Sequence, residues 1–214
     1  IVYLFVAVFW SLFDQTGSSW VLQAGHTDNI LLGVELLPAQ IQAANPLLVM
    51  LLIPLFSYVI YPAIDRVFPL TPLRKIAIGL FLAAAAFSIP TLIQISIDRG
   101  GAPSIAWQLL AYIVLTASEV MVSITCLEFS YTQAPRTMKS FVMVFFMLSI
   151  SLGNLFTSAV NFLIQKPDGS SALQGADYFQ FFTVLMLVTA MLFVVVARYY
   201  RGKSYIHAEQ AATV

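Results

Sequence analysis

The sequence predicts an all-α membrane protein with six transmembrane helices, and three observations carry that expectation. Of 214 residues, 60% are hydrophobic and only 9% charged, whereas a soluble domain has about 25% charged residues. The apolar runs exceed the roughly 18 residues that mark a membrane helix, while barrel strands would be about 10 residues with dyad alternation. The charges sort by position. Arg66, Arg74, Lys75, Arg136, Lys139, Arg198, Arg201 and Lys203 all fall in alternate connections or after the last span. The other connections hold Arg99 and Lys166 with Asp28, Glu35, Asp98, Asp168 and Asp177. By the positive-inside rule the basic face is cytoplasmic, and both ends of the chain lie on that side.

The spans read as residues 1–23, 38–64, 73–97, 104–133, 138–164 and 177–200. The chain opens at Ile1, already inside an apolar run and without a basic leader. That pattern is not a signal peptide, and the expectation is a piece of a longer protein. The single cysteine, Cys126, lies within a span, so no intrachain disulfide can form.

Span one carries FWSLFDQTGSSW, in which Trp10 and Asp14 are four apart and share a helix face. Trp20 reads as an interfacial belt residue. Asp14 is too short to reach water from more than about a turn inside the span, so it reads as functional. Span two contains Asn45-Pro46, Pro54 and Pro62. The prolines remove backbone donors and bend the helix, and Asn45 is either interhelical glue or a cavity residue. The loop DRVFPLTPLRK, residues 65–75, is a short basic topology determinant. Span three, mostly Leu, Ile and Ala, reads as a lipid-facing support.

Span four places Glu119 near the middle of an apolar segment. An ionisable group there costs about 2.5–3.5 kcal/mol on insertion scales and persists only beside a partner or a polar cavity. Ser123 lies on the same face at i+4, whereas Glu128, nine residues on, falls nearly opposite at about 100° per residue. Glu128 therefore reads as a local pairing or capping residue. In span five, Ser149, Ser151 and Gly153 allow close helix approach, and Asn154 and Asn161 share a face, so packing is the expected role. Span six reads as scaffold. His26 and His207 fall outside the spans, which leaves no metal constellation, and no nucleophile elbow, Walker loop or dinucleotide fingerprint occurs. An enzyme is not expected, and no basic patch beyond the topology loops suggests nucleic acid.

FWSLFDQTGSSW, the Asn45-Pro46 pair, EVMVSITCLEFSYTQAPRTMKS and the LGN that follows in span five together resemble the proton-dependent oligopeptide transporters of the major facilitator superfamily. The resemblance runs from about residue 5 to 183 and is most specific over residues 118–154. It implies that residues 1–214 form the C-terminal six-helix bundle, one half of a twelve-helix transporter. The N-terminal six-helix half, with its ExxERF-type motif and basic cluster, is absent from this chain. It further implies proton-coupled symport of di- and tripeptides across a bacterial cytoplasmic (inner) membrane. The halves would rock around a central cavity, with the proton as coupling ion and no other cofactor.

Residue by residue, the resemblance makes Glu119 the span-four carboxylate associated with the peptide amino terminus and with a lysine of the first half. It makes Ser123 its neighbour on the cavity wall, Asn45 a peptide-contacting amide and Trp10 a cavity aromatic. Asp14 corresponds to an acidic residue that pairs with an arginine of the first half in the extracellular gate. Many relatives carry Trp where this chain has Phe146, so a pocket wall is kept and an indole donor is lost. The competing expectations are another solute on the same scaffold (nitrate, an amino acid or a peptidomimetic drug) and a non-transporting membrane scaffold. Three separate polar faces, Trp10/Asp14, Asn45 and Glu119/Ser123, argue against the latter.

Overall fold

The computed structural model describes residues 1–167 and 171–200; Asp168, Arg201, Lys203 and His207 lie outside them. Nine α-helices are described there: α1 Val2–Phe13, α2 Ser19–Ala24, α3 Ala44–Leu55, α4 Tyr61–Asp65, α5 Pro72–Asp98, α6 Ala106–Glu119, α7 Thr125–Gln133, α8 Lys139–Ile164 and α9 Ala176–Tyr199. Five continuous helical stretches are long and apolar enough to cross a membrane: Pro38–Asp65, Pro72–Asp98, Ala106–Gln133, Lys139–Ile164 and Ala176–Tyr199. Each lies within a few residues of an expected span. The first expected span differs. It breaks after Phe13 into a 3-10 turn over Asp14–Gly17, and α2 resumes at Ser19.

Two other spans change their hydrogen-bonding period inside the membrane. A π-helical turn occupies Phe56–Ile60 and another Val120–Ile124. The first lies between Pro54 and Pro62, whose nitrogens cannot donate, so the regular i→i−4 ladder cannot continue through it. The two π turns face each other across a small apolar cluster of Leu52, Phe56, Val120 and Met121.

Helix α5 is the centre of the packing. It lies against α6 and α9 and contributes fully buried Ile76, Leu80, Ala83, Ala86 and Phe87. Span three is therefore interior on one side only: Phe81 and Leu92 stay exposed, so the expected lipid-facing support is corrected for the face buried against α6 and α9. Its alanines are what the position requires, because small side chains let helices approach closely. Trp20 is likewise no belt residue. It is fully buried, with its ring 5.0 Å from Tyr112 and 5.3 Å from Phe87, and its carbonyl accepts from Gln108 at 2.7 Å.

Charge sorts by end, as the sequence indicated. Phe68 and Arg74 at the start of α5 meet Arg198 at the end of α9 around one groove. Phe129 near the end of α7 lies 5.6 Å, ring to ring, from Tyr200. At the other end Asp98 accepts a hydrogen bond from the Ala176 amide at 3.0 Å, and the Asp28 amide donates to Pro103 at 3.0 Å. A two-stranded hairpin, β1 Ile30–Leu31 and β2 Val34–Glu35, also sits at this end and was not expected from the sequence. Its turn has positive φ at Leu32 and Gly33.

Helices α1 and α8 pack together through Gly153. A Cβ there would collide with the Ala7 carbonyl oxygen and lie 2.8 Å from the Ser11 nitrogen. The Thr157 hydroxyl one turn on donates to the Ser11 carbonyl at 2.9 Å. We predict that Gly153→Leu destabilises the protein by about 1–3 kcal/mol, the usual range for overpacking. It should lower the thermal midpoint of the purified protein in detergent, while Ser151→Leu on the exposed face of the same helix leaves it unchanged.

Candidate functional site

The polar residues singled out in the sequence fall into two groups. The first joins α3 to α6. The Asn45 amide donates to the Glu119 carboxylate (Nδ2 to Oε2, 3.0 Å) and lies 3.1 Å from the Thr116 hydroxyl oxygen. Thr116 is fully buried and passes its own proton to the Tyr112 carbonyl at 2.8 Å. Its oxygen lone pairs are therefore turned to Asn45. One amide thus holds two oxygens, and the carboxylate is fixed by a charge-assisted hydrogen bond.

Local structure sets where Glu119 points. It is the last residue of α6 before the π turn at Val120–Ile124. Gly79 of α5 makes room for that turn: a Cβ there would lie 2.6 Å from Val122 Cγ2 and 3.0 Å from Met121 Cβ. The Ser118 hydroxyl donates to the Gly79 carbonyl at 2.7 Å and pins the junction. The carboxylate therefore emerges from a helix whose register is fixed from behind by α5, on the side facing α3.

The second group joins α1 to α8. Trp10 is buried, with its ring 6.0 Å from Phe146 and nearly perpendicular to it, and Phe9 and Phe13 complete an aromatic cluster. Its indole Nε1 has no hydrogen-bond partner among the described residues. Asp14 starts the 3-10 turn that follows, half-buried, and faces the Asn154 amide. Asp14 and Asn154 line a polar groove of about 300 Å³ with Ser11, Ser18, Ser158 and Asn161. The Asp14 and Glu119 carboxylates lie within electrostatic reach of each other.

The structure thus brings Asn45 to Glu119 and Trp10 to Phe146 directly. Ser123 is half-buried within the π turn. Because that turn has a different period, i and i+4 do not stack over it as they would in an α-helix, and no hydrogen bond joins Ser123 to Glu119 among the described residues. Sequence reasoning missed Thr116, three residues before Glu119 and on the same face. It also assigned Asn154 to packing: Gly153 carries the close approach, while Asn154 is exposed in the polar groove. Glu128 is exposed near Tyr61, Asp65 and Lys75 at the basic end, away from the two groups.

The sequence profile of the POT family matches residues 1–179. The chain is 44% identical over 91 residues to Peptide transporter 3 of Caenorhabditis elegans, covering 42% of this chain and 13% of that protein. Its fold is similar to the crystal structure of an auto-inhibited POT family peptide transporter, with a TM-score of 0.87 and 36% identity over 96% of this chain and 41% of the other. It is also similar to the in meso crystal structure of the POT family transporter PepTSo, with a TM-score of 0.84 and 40% identity over 93% of this chain and 40% of the other. The chain therefore spans about two-fifths of the length of those solved proteins. With its family profile matched over most of its length and its helices superposing on both transporters, this multi-pass membrane chain belongs to the POT family.

Proposed function

We propose that this chain supplies the C-terminal half of a proton-coupled symporter of di- and tripeptides, working by alternating access in the cytoplasmic membrane. The observation that carries the proposal is the Asn45–Glu119 bond between α3 and α6, set in a wall that also holds Asp14 and Thr116. The peptide-transporter relatives support the substrate class, and the charge sorting supports an orientation with the basic end cytoplasmic. The partner is an N-terminal six-helix half, which would close the open side of the polar wall.

Glu119 can exchange three partners on one carboxylate: the Asn45 amide, a cation of the opposing half or the ammonium of a peptide, and a proton. Pairing with the opposing cation favours the state in which the halves meet on the cytoplasmic side. A proton or a peptide amino group competing for the carboxylate releases that pair. Each ligand moves the equilibrium only by its differential affinity for the two states. Asp14, at the break in the first span and beside Asn154, serves the opposite gate, while Trp10, Phe146 and Ser123 form the walls.

Three outcomes test this reading in proteoliposomes containing the whole protein. Glu119→Gln should reduce gradient-driven dipeptide uptake about 10- to 100-fold, corresponding to the roughly 1.5–3 kcal/mol carried by a hydrogen bond to a charged group. Retained counterflow would place Glu119 in proton coupling, whereas full gradient-driven uptake by the variant would remove it from the mechanism. Asn45→Leu should weaken dipeptide affinity by about tenfold or more, because it leaves a carboxylate unsatisfied in the membrane. Asn45→Gln should do less damage, and equal competition curves for all three proteins would exclude the amide from the site. Asp14→Asn should keep counterflow while slowing gradient-driven uptake, and an unaltered uptake rate would remove Asp14 from the gate.

A further inference from the structure

The polar wall draws its residues from α1, α3, α6 and α8, and none from α5 or α9. Along the seam of the packed α5 and α9, a groove of about 820 Å³ opens at the basic end. Ala77 on α5 and Ala197 on α9 line it together, and their short side chains leave its floor shallowly covered. Phe81 and Val194 continue the groove toward the middle of the membrane, and both present apolar surface. Arg74 to Phe81 is seven residues of helix, or about 10 Å along the axis.

The mouth of the groove is cationic. Arg74 and Arg198 both line it, and no carboxylate does so among the described residues. Arg74 is held in position, with its guanidinium carbon 4.3 Å over the Phe68 ring and its Nη1 donating to the Pro69 carbonyl at 2.6 Å. That leaves the remaining guanidinium N–H groups for an acceptor outside the protein, in the planar fork that suits a phosphate. The mouth also coincides with the first turn of the 27-residue α5, whose N-terminus carries partial positive charge. The neighbouring carboxylate is engaged elsewhere, since Asp65 accepts from the Leu70 amide at 2.7 Å.

We infer that the groove between α5 and α9 binds one anionic glycerophospholipid, with its phosphodiester between Arg74 and Arg198 and an acyl chain over Ala77 and Ala197. An apolar channel continuous with a two-arginine mouth at one end of a membrane helix pair matches the two halves of such a lipid. Basic pockets between membrane helices are known to hold anionic headgroups. A soluble anion would use only the mouth.

The test uses the whole protein, delipidated in detergent, with palmitoyl-oleoyl phosphatidylglycerol and phosphatidylcholine titrated separately and binding read by native mass spectrometry. Wild type should retain the phosphatidylglycerol about tenfold or more in preference to phosphatidylcholine, as two interfacial arginines imply. Arg74→Gln with Arg198→Gln should abolish the preference, whereas Arg66→Gln at the same end should leave it. Ala197→Leu, which keeps both charges and fills the groove, should lower phosphatidylglycerol retention about tenfold. That arm decides the matter if the arginine variant fails to fold. Equal retention by wild type and Ala197→Leu would overturn the proposal. So would displacement of the lipid by equimolar glycerol phosphate, which would mark a site for free anions.

Discussion

The hydrogen bond between Asn45 and Glu119 is the constraint on which the rest of this structure turns. A charge in the middle of a membrane helix costs about 2.5–3.5 kcal/mol on insertion scales, and a hydrogen bond to a charged group returns about 1.5–3 kcal/mol. The two magnitudes are close, so a single amide nearly offsets the penalty, and on the proposed mechanism that balance keeps Glu119 exchangeable. A full ion pair within the chain would hold the carboxylate permanently. An amide holds it while leaving it open to a proton or a stronger cation.

Keeping that bond at 3.0 Å places demands on every neighbouring helix. Glu119 must emerge toward α3, which the π turn after it arranges, and the turn needs the space left by Gly79. Gly79 lies on α5, whose alanine-rich sequence packs one face against α6 and α9. Asn45 must come from the first turn of a helix that carries Pro54 and then a π turn of its own. Both helices therefore meet at the apolar cluster of the two π turns, and an irregularity in one is matched by an irregularity in the other. Regular helices could move past each other by small slides. Two facing bulges instead give the pair a preferred register.

Much of this was legible in the sequence. Membrane spans are set by long apolar runs, and five of the six expected stretches return as continuous helices. Glu119 stood out because a carboxylate at mid-span needs a partner, and the structure supplies one in Asn45; the contact of Trp10 with Phe146 joins two residues that only the family resemblance had singled out together. What was not legible depends on tertiary space. Trp20 looked like a belt residue because its position near a span end fits one, yet Phe87 and Tyr112 enclose it. Alanine-rich α5 read as lipid-facing throughout, whereas one side is buried and Phe81 and Leu92 are exposed on the other, because composition alone cannot tell which side of a small-residue helix is covered. The hairpin at Ile30–Glu35 was missed for a local reason. Its turn needs positive φ at both central residues, and Leu32 occupies the place where Asn or Asp would have signalled it.

The two groups in the wall differ in kind, and the difference bears on mechanism. Trp10 and Phe146 meet through buried ring contacts, on helices clamped together at Gly153. Asn45 and Glu119 meet through one polar bond between helices that carry π turns. Rigid-body movement of a bundle needs both features: a clamped pair that transmits motion and a pair whose contact can be exchanged without unpacking a core. Asp14 sits where they join, because the first span breaks at Asp14–Gly17 and frees the carboxylate from the regular helix within reach of Glu119. A regular helix through residue 14 would fix Asp14 in the register of Trp10. The break separates the Asp14 carboxylate from the aromatic clamp, which on the proposed reading lets the charge respond while the packing behind it stays in place.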